Sequence, residues 1–118
     1  MNLTIYQYPK CSTCRNAVKW LEAQGHTLNK IDITLNPPSK EELKQMTAQS
    51  GLELKKWFNV SGEVYKEMQL KDKLPAMSEE EQHALLASNG KLIKRPIVTD
   101  GKQVTVGFKE EQFEQTWK

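Results

Sequence analysis

Cys11 and Cys14 are the only cysteines in this 118-residue chain, and they stand three positions apart in "YPKCSTCRNAVKWL", Tyr8 to Leu21. Random placement gives that spacing in roughly two cases per hundred, by counting positions. Three chemistries suit it: a reactive thiol pair, half of a metal site, or two small side chains that simply pack. Packing suits Cys14 better than Cys11. Cys14 falls on the apolar stripe of the following segment, whereas Cys11 precedes that stripe, at a turn where backbone N–H groups lack helical partners. A thiol there feels the positive end of the helix dipole, which favours its thiolate. Cys11 is therefore the expected nucleophile. Cys14, one turn later and more enclosed, is the expected resolving thiol, placed to attack a mixed disulfide at Cys11. A structural zinc site needs four ligands, yet the only histidines, His26 and His83, stand alone and far apart, and each reads as a surface residue.

The basic residues carry a second signal. Of seventeen, only Arg15 and Arg95 are arginine, one directly after the cysteine pair and one directly before Pro96. Arginine offers a fixed, always-charged fork that lysine cannot copy, so the pattern suggests that both face the thiolate or an anion bound beside it. The alternative is a lysine-rich composition with two ordinary surface arginines.

The elements that must position these groups follow from periodicity and turn chemistry. Leu3 to Tyr8 mixes β-branched and aromatic residues and reads as a strand. Cys14, Ala17, Val18 and Leu21 mark the apolar face of a helix that Gly25 closes. A second strand is expected around Leu28 to Ile33. Ser39 with Glu42 forms a capping box for a helix running towards Gly51, and Ser78 with Glu81 opens another that ends near Asn89 and Gly90. Between them lie short helices joined through Ser61 and Gly62, with Trp57 and Phe58 expected in the core. "RPIVTDGKQVTVG" reads as two strands joined at Asp100 and Gly101 by a tight hairpin turn, and a last helix runs from about Lys109 to Trp117. The order is β-α-β, helical pieces, then β-β-α, an α/β arrangement with a mixed sheet.

A net charge of +2, with acidic and basic residues interspersed, makes no cationic stripe for nucleic acid. No segment approaches the apolar length of a membrane span, and the start, "MNLTIYQY", has no run of basic residues ahead of a long apolar stretch. A cytoplasmic protein is expected, and without a heptad or long apolar face, a monomer. In that reducing compartment paired thiols suggest redox or metal chemistry rather than a permanent staple.

The segments "YPKCSTCRNAVKWL", "NPPSKEEL", "FNVSGEVYKE", "LIKRPIV" and "VGF" together resemble the ArsC/Spx/YffB family of thioredoxin-fold proteins over nearly the whole chain, and in particular its small arsenate-reductase-like members in Gram-positive bacteria. The resemblance implies one thioredoxin- or glutaredoxin-like domain over residues 1–118, a four-stranded mixed sheet, and a helical insertion at about 39–90. It implies a catalytic set of Cys11, Cys14 and Arg95, with Ser12, Thr13, Arg15 and Pro96 around an anion or substrate, and a cis bond before Pro96. No bound cofactor or metal is implied. Thioredoxin, glutaredoxin or a low-molecular-weight thiol would serve as external reductant.

Departures from the family pattern refine this expectation. In the glutaredoxin-coupled arsenate reductases a serine stands where this chain has Cys14. Trp57 and "VGF" occupy places where those enzymes carry arginines, and Gln7 replaces a histidine. Each lost fork removes a charge-assisted contact of about 1.5 to 3 kcal/mol, which argues against arsenate as substrate. Spx, the redox-sensing regulator of the family, does carry a matching Cys-x-x-Cys and binds the RNA polymerase α subunit. The expected function is thus a thiol-dependent oxidoreductase, with a regulator that docks on RNA polymerase as the alternative.

Overall fold

The computed structural model describes residues 1–118. Its strands are β1 (Asn2–Gln7), β2 (Thr27–Asp32), β3 (Ile97–Thr99) and β4 (Val104–Val106), and its helices are α1 (Ser12–Ala23), α2 (Lys40–Ser50), α3 (Glu63–Glu67), α4 (Leu70–Lys73), α5 (Glu79–Ser88) and α6 (Glu110–Trp117). The strands form one mixed sheet in the order β2-β1-β3-β4. β1 and β2 run parallel, β3 lies antiparallel to β1, and β4 lies antiparallel to β3. The first two strands begin and end one residue earlier than the sequence pattern suggests.

Alternation along β1 divides the core between the two faces of the sheet. Leu3 and Ile5 pack with Ala17 and Leu21 of α1, Val98 of β3, and Phe113 and Trp117 of α6. Tyr6 points the other way, into a larger cluster with Leu43, Met46, Trp57, Phe58, Leu86, Ile97 and Val106. Trp57 and Phe58 are fully buried there, as expected. On the first face, the indole N–H of Trp117 donates to Thr105 Oγ1 at 3.0 Å, which satisfies a polar pair inside the core. β2 is the polar edge, with Thr27, Asn29 and Lys30 exposed, a composition that discourages pairing with another chain.

Local signals fix the helix ends. Gly25, at φ 91°, terminates α1, with Gly25 N–H donating to Glu22 O and His26 N–H to Leu21 O, the two bonds of a Schellman motif. Both expected capping boxes form: Ser39 and Glu42 exchange bonds of 3.0 and 3.1 Å, as do Ser78 and Glu81. Gly90 has a different role, since a Cβ at this position would collide with the backbone carbonyl of Ile33. No helix is long and apolar enough to cross a membrane.

Two expectations are corrected. His83 is not a surface residue: it is 7% exposed, wedged between α5 and α2, where its Nε2 lies 3.1 Å from Thr47 Oγ1. The charged first turn of α5 masks this, because His83 lies on the inward side of a helix whose apolar periodicity is weak. The β3–β4 connection spans residues 100–103 rather than a two-residue turn. Asp100 accepts from the N–H groups of Lys102 at 2.8 Å and Gln103 at 2.7 Å, so its side chain closes a longer loop.

Candidate active site

Register brings the two chemically interesting segments together. The carboxyl end of β1 lies beside the amino end of β3, with Tyr6 opposite Ile97. The chain leaving β1 turns through Pro9, closed by Cys11 N–H donating to Tyr8 O at 2.9 Å, and enters α1. The chain arriving at β3 does so through Arg95 and Pro96, joined by a cis bond. Pro96 O accepts from Gly107 N–H at 2.9 Å, which ties this loop to the end of β4.

Cys11 occupies the N-cap of α1 in an extended conformation and is half-buried. Its side chain stands where a capping oxygen would accept from the first free N–H groups. No formal side-chain cap bond forms, but the Cys14 and Thr13 N–H groups face the sulfur and favour its ionised form. Burial alone would push the Cys11 thiol up. The Cys14 N–H, the Cys14 thiol, the Arg95 charge and the Thr13 N–H outweigh burial, so its pKa lies below the ordinary thiol value.

Cys14 has the opposite environment. It is completely buried, and the Tyr8 N–H lies 3.5 Å from its sulfur. Burial above all, helped by the hydrogen bond to Cys11 and the Cys11 charge, pushes it up to about 12, against the opposing effects of the Tyr8 N–H and Arg95. The pair is therefore polarised: an ionisable sulfur at the surface and a protonated one behind it. Both cysteines are free thiols.

Arg95 is held over the Tyr8 ring, with Cζ 5.2 Å from the ring centroid. Its Nε and Nη1 are buried and have no hydrogen-bond partner in the protein, and its charge favours the Cys11 thiolate. Arg15 is not brought there. It is exposed, and its Nη1 donates to Pro9 O at 3.1 Å, so it braces the turn from outside. One residue after Cys14 on α1, Arg15 falls off the inward face, and adjacency in sequence does not carry it into the cleft.

Cys11 opens into a cleft of about 280 Å³ lined by Thr13, Asn59, Lys94, Arg95, Lys109 and the strip Val106 to Phe108. Ser12, exposed at the first position of α1, does not line it, and neither does Pro96, which is buried. Asn59, Lys94, Lys109 and the stacking Tyr8 are the residues that sequence reasoning missed. Lys94 and Lys109 directly flank "RP" and "VGF", which was the available signal. Asn59 arrives through long-range pairing: Asn59 N–H donates to Leu92 O and Lys94 N–H to Trp57 O, both at 2.8 Å. A larger cavity of about 520 Å³, lined by Lys44, Thr47 and His83 among others, contains neither cysteine.

A four-stranded mixed sheet with a cysteine heading its first helix and an X-Pro turn beside it is the thioredoxin-like arrangement, and its helical segment between β2 and β3 narrows the class further. The chain belongs to the ArsC family, whose model matches residues 6–116. It is 62% identical to the protein YusI of Bacillus subtilis (strain 168), over 99% of each chain. The solved arsenate reductase of Vibrio cholerae superposes with a TM-score of 0.87 at 37% identity, covering 98% of this chain and 97% of that one. The global transcriptional regulator Spx of Enterococcus faecalis is 30% identical, over 94% of this chain and 83% of its own. Family and fold thus agree with the resemblance read from the motifs, and the relatives include both reductases and regulators.

Proposed function

We propose that the protein is a thiol–disulfide oxidoreductase in which Cys11 is the nucleophile and Cys14 the resolving thiol. The observation that carries this reading is the opposed setting of the two sulfurs, one at the mouth of a cationic cleft and the other sealed behind it. The Cys11 thiolate attacks a substrate sulfur; a Cys11–substrate bond forms and the former partner sulfur leaves with the electron pair. The α1 N–H groups and Arg95 stabilise Cys11 as thiolate and again as leaving group.

Resolution follows from the same electrostatics. Once Cys11 is in a mixed disulfide, it carries no charge and no longer accepts the Cys14 thiol as a thiolate does. Two of the causes that hold the Cys14 thiol up then vanish, leaving burial opposed by Tyr8 N–H and Arg95. Cys14 gives up its proton and attacks the Cys11 sulfur; the Cys11–Cys14 bond forms, the Cys11–substrate bond breaks, and the substrate sulfur leaves with the electron pair and takes up a proton. Thioredoxin, glutaredoxin or a low-molecular-weight thiol reopens the Cys11–Cys14 bridge with two electrons. No bound cofactor is required. With one arginine in the cleft rather than several, the site favours a sulfur electrophile over arsenate.

The test is oxidation with a neutral disulfide followed by mass mapping. An intramolecular Cys11–Cys14 bridge that thioredoxin or a small thiol reduces supports the reading; failure to form it under mild oxidant removes it. The similarity to Spx favours a second reading, a redox-sensing regulator using the same bridge to control docking on the RNA polymerase α subunit. Capture of that subunit that depends on the redox state, with no turnover of disulfides, would select this alternative.

A further inference from the structure

The Cys11 cleft does not end at Asn59 and Lys94. Both residues also line a neighbouring cavity of about 330 Å³, which continues over Lys55, Lys56, Phe58, Val60 and Tyr65. Together the two hollows present Lys55, Lys56, Lys94, Arg95 and Lys109, and no carboxylate lines either one. The chain as a whole is nearly balanced, with 17 basic and 15 acidic residues, so this one-sidedness is local. Glu53 approaches Lys55 to 3.8 Å, but both side chains are more than two-thirds exposed and the pair is weak. The floor is apolar: Val60 is 54% exposed, and Tyr65 is half-buried. Beyond Val60 and Tyr65, a further hollow adds Lys66 and Lys71 before Asp72, the first carboxylate reached.

We infer that this groove docks an acidic segment of a protein disulfide, with apolar side chains on Val60 and Tyr65 and carboxylates at Lys55, Lys56 and Lys94, so that the attached sulfur reaches Cys11. Charge complementarity selects this occupant: a basic segment would meet only like charge, and an uncharged one would leave the lysines unused. The groove runs away from the sulfur along an open surface, a shape suited to an extended chain. The inference rests on the proposed thiol–disulfide function and supplies its substrate class.

The test uses short synthetic peptides, each with one cysteine as its neutral 2-pyridyl disulfide, flanked by aspartates, asparagines or lysines. Cys11 thiolate attacks the peptide sulfur, a new S–S bond forms, and 2-thiopyridine leaves with the electron pair and takes up a proton; its absorbance reports the rate. Cys14 then displaces the peptide thiol. Rates are normalised to those with 2-mercaptoethanol to remove intrinsic differences between peptides. At low salt the aspartate peptide should react about tenfold faster than the lysine peptide, and salt should erase the difference. Lys55→Glu/Lys56→Glu should abolish or reverse the preference of aspartate over lysine peptide. Lys102→Glu/Lys118→Glu, at exposed positions outside the groove, should leave the preference in place.

Equal normalised rates for the three peptides, or a salt-independent preference, would overturn the inference without any variant. A preference that survives Lys55→Glu/Lys56→Glu, or is lost equally in the distant pair, would also overturn it. Failure of every peptide to exchange, or exchange that persists in Cys11→Ser, would instead overturn the function on which it rests.

Discussion

Arg95 stacks on Tyr8, its Cζ 5.2 Å from the ring centroid, and this contact joins the two segments that make the site. Tyr8 ends the run out of β1, and Arg95 precedes the run into β3. The ring holds the guanidinium in the site, where its charge favours the ionised form of Cys11. A cation over an aromatic face is worth about 0.5 to 2 kcal/mol, enough to hold one side-chain orientation over others.

Tyr8→Leu should loosen Arg95 and raise the Cys11 pKa, and Arg95→Gln should raise it further, because it removes the charge that favours the thiolate. Alkylation by iodoacetamide follows the thiolate fraction, so in both variants the fall in rate on acidification should begin at a higher pH than in the parent. Arg95→Lys should lie between, because it keeps the charge and loses the fork. Unchanged profiles would show that Arg95 does not act on Cys11.

Cys14→Ser should leave Cys11 able to attack and unable to be relieved, so a mixed disulfide with a small disulfide should persist. Cys11→Ser should form none, because Cys14 is fully buried and out of reach of the disulfide. Mass mapping of adduct lifetimes checks both. Equal behaviour of the two variants would contradict the assigned order of attack.

Gly90→Ala should destabilise the fold by about 2 to 4 kcal/mol, since the added methyl meets the Ile33 backbone carbonyl rather than a side chain that can rotate away. Denaturant unfolding measures this. A change under about 0.5 kcal/mol would mean that the loops carrying Ile33 and Gly90 part easily.

Thr105→Val keeps the shape of the residue and removes the acceptor of the Trp117 indole N–H. The buried donor is then unsatisfied, at a cost of about 1 to 3 kcal/mol. The midpoint of urea unfolding should fall with an unchanged slope, and the pH profile of Cys11 alkylation should stay that of the parent. A moved profile would show that the α6 face is coupled to the thiol.

The features readable in the sequence were those encoded by neighbours in the chain. Ser39 with Glu42, Ser78 with Glu81, the stripe Cys14, Ala17 and Leu21, and Gly25 are all short-range signals, and the structure uses each one. The position of Cys11 at a helix start was readable for the same reason. What escaped was set by register and long-range pairing. Asn59 and Lys94 reach the cleft because residues 57–59 pair with 92–94, some 35 positions away, and no local pattern announces that strip. Arg15 misled in the opposite sense, since its neighbour in sequence faces inward while it faces out. His83 was hidden by the acidic turn that precedes it.

The most direct test of the account is the pH dependence of alkylation at each cysteine of the reduced protein, read by mass mapping. The expected result is a Cys11 that ionises below the free-thiol value of ~8.5 while Cys14 stays unreactive through that range. A Cys11 that ionises at or above that value, or a Cys14 that reacts alongside it, would contradict the polarised pair on which the proposed chemistry stands.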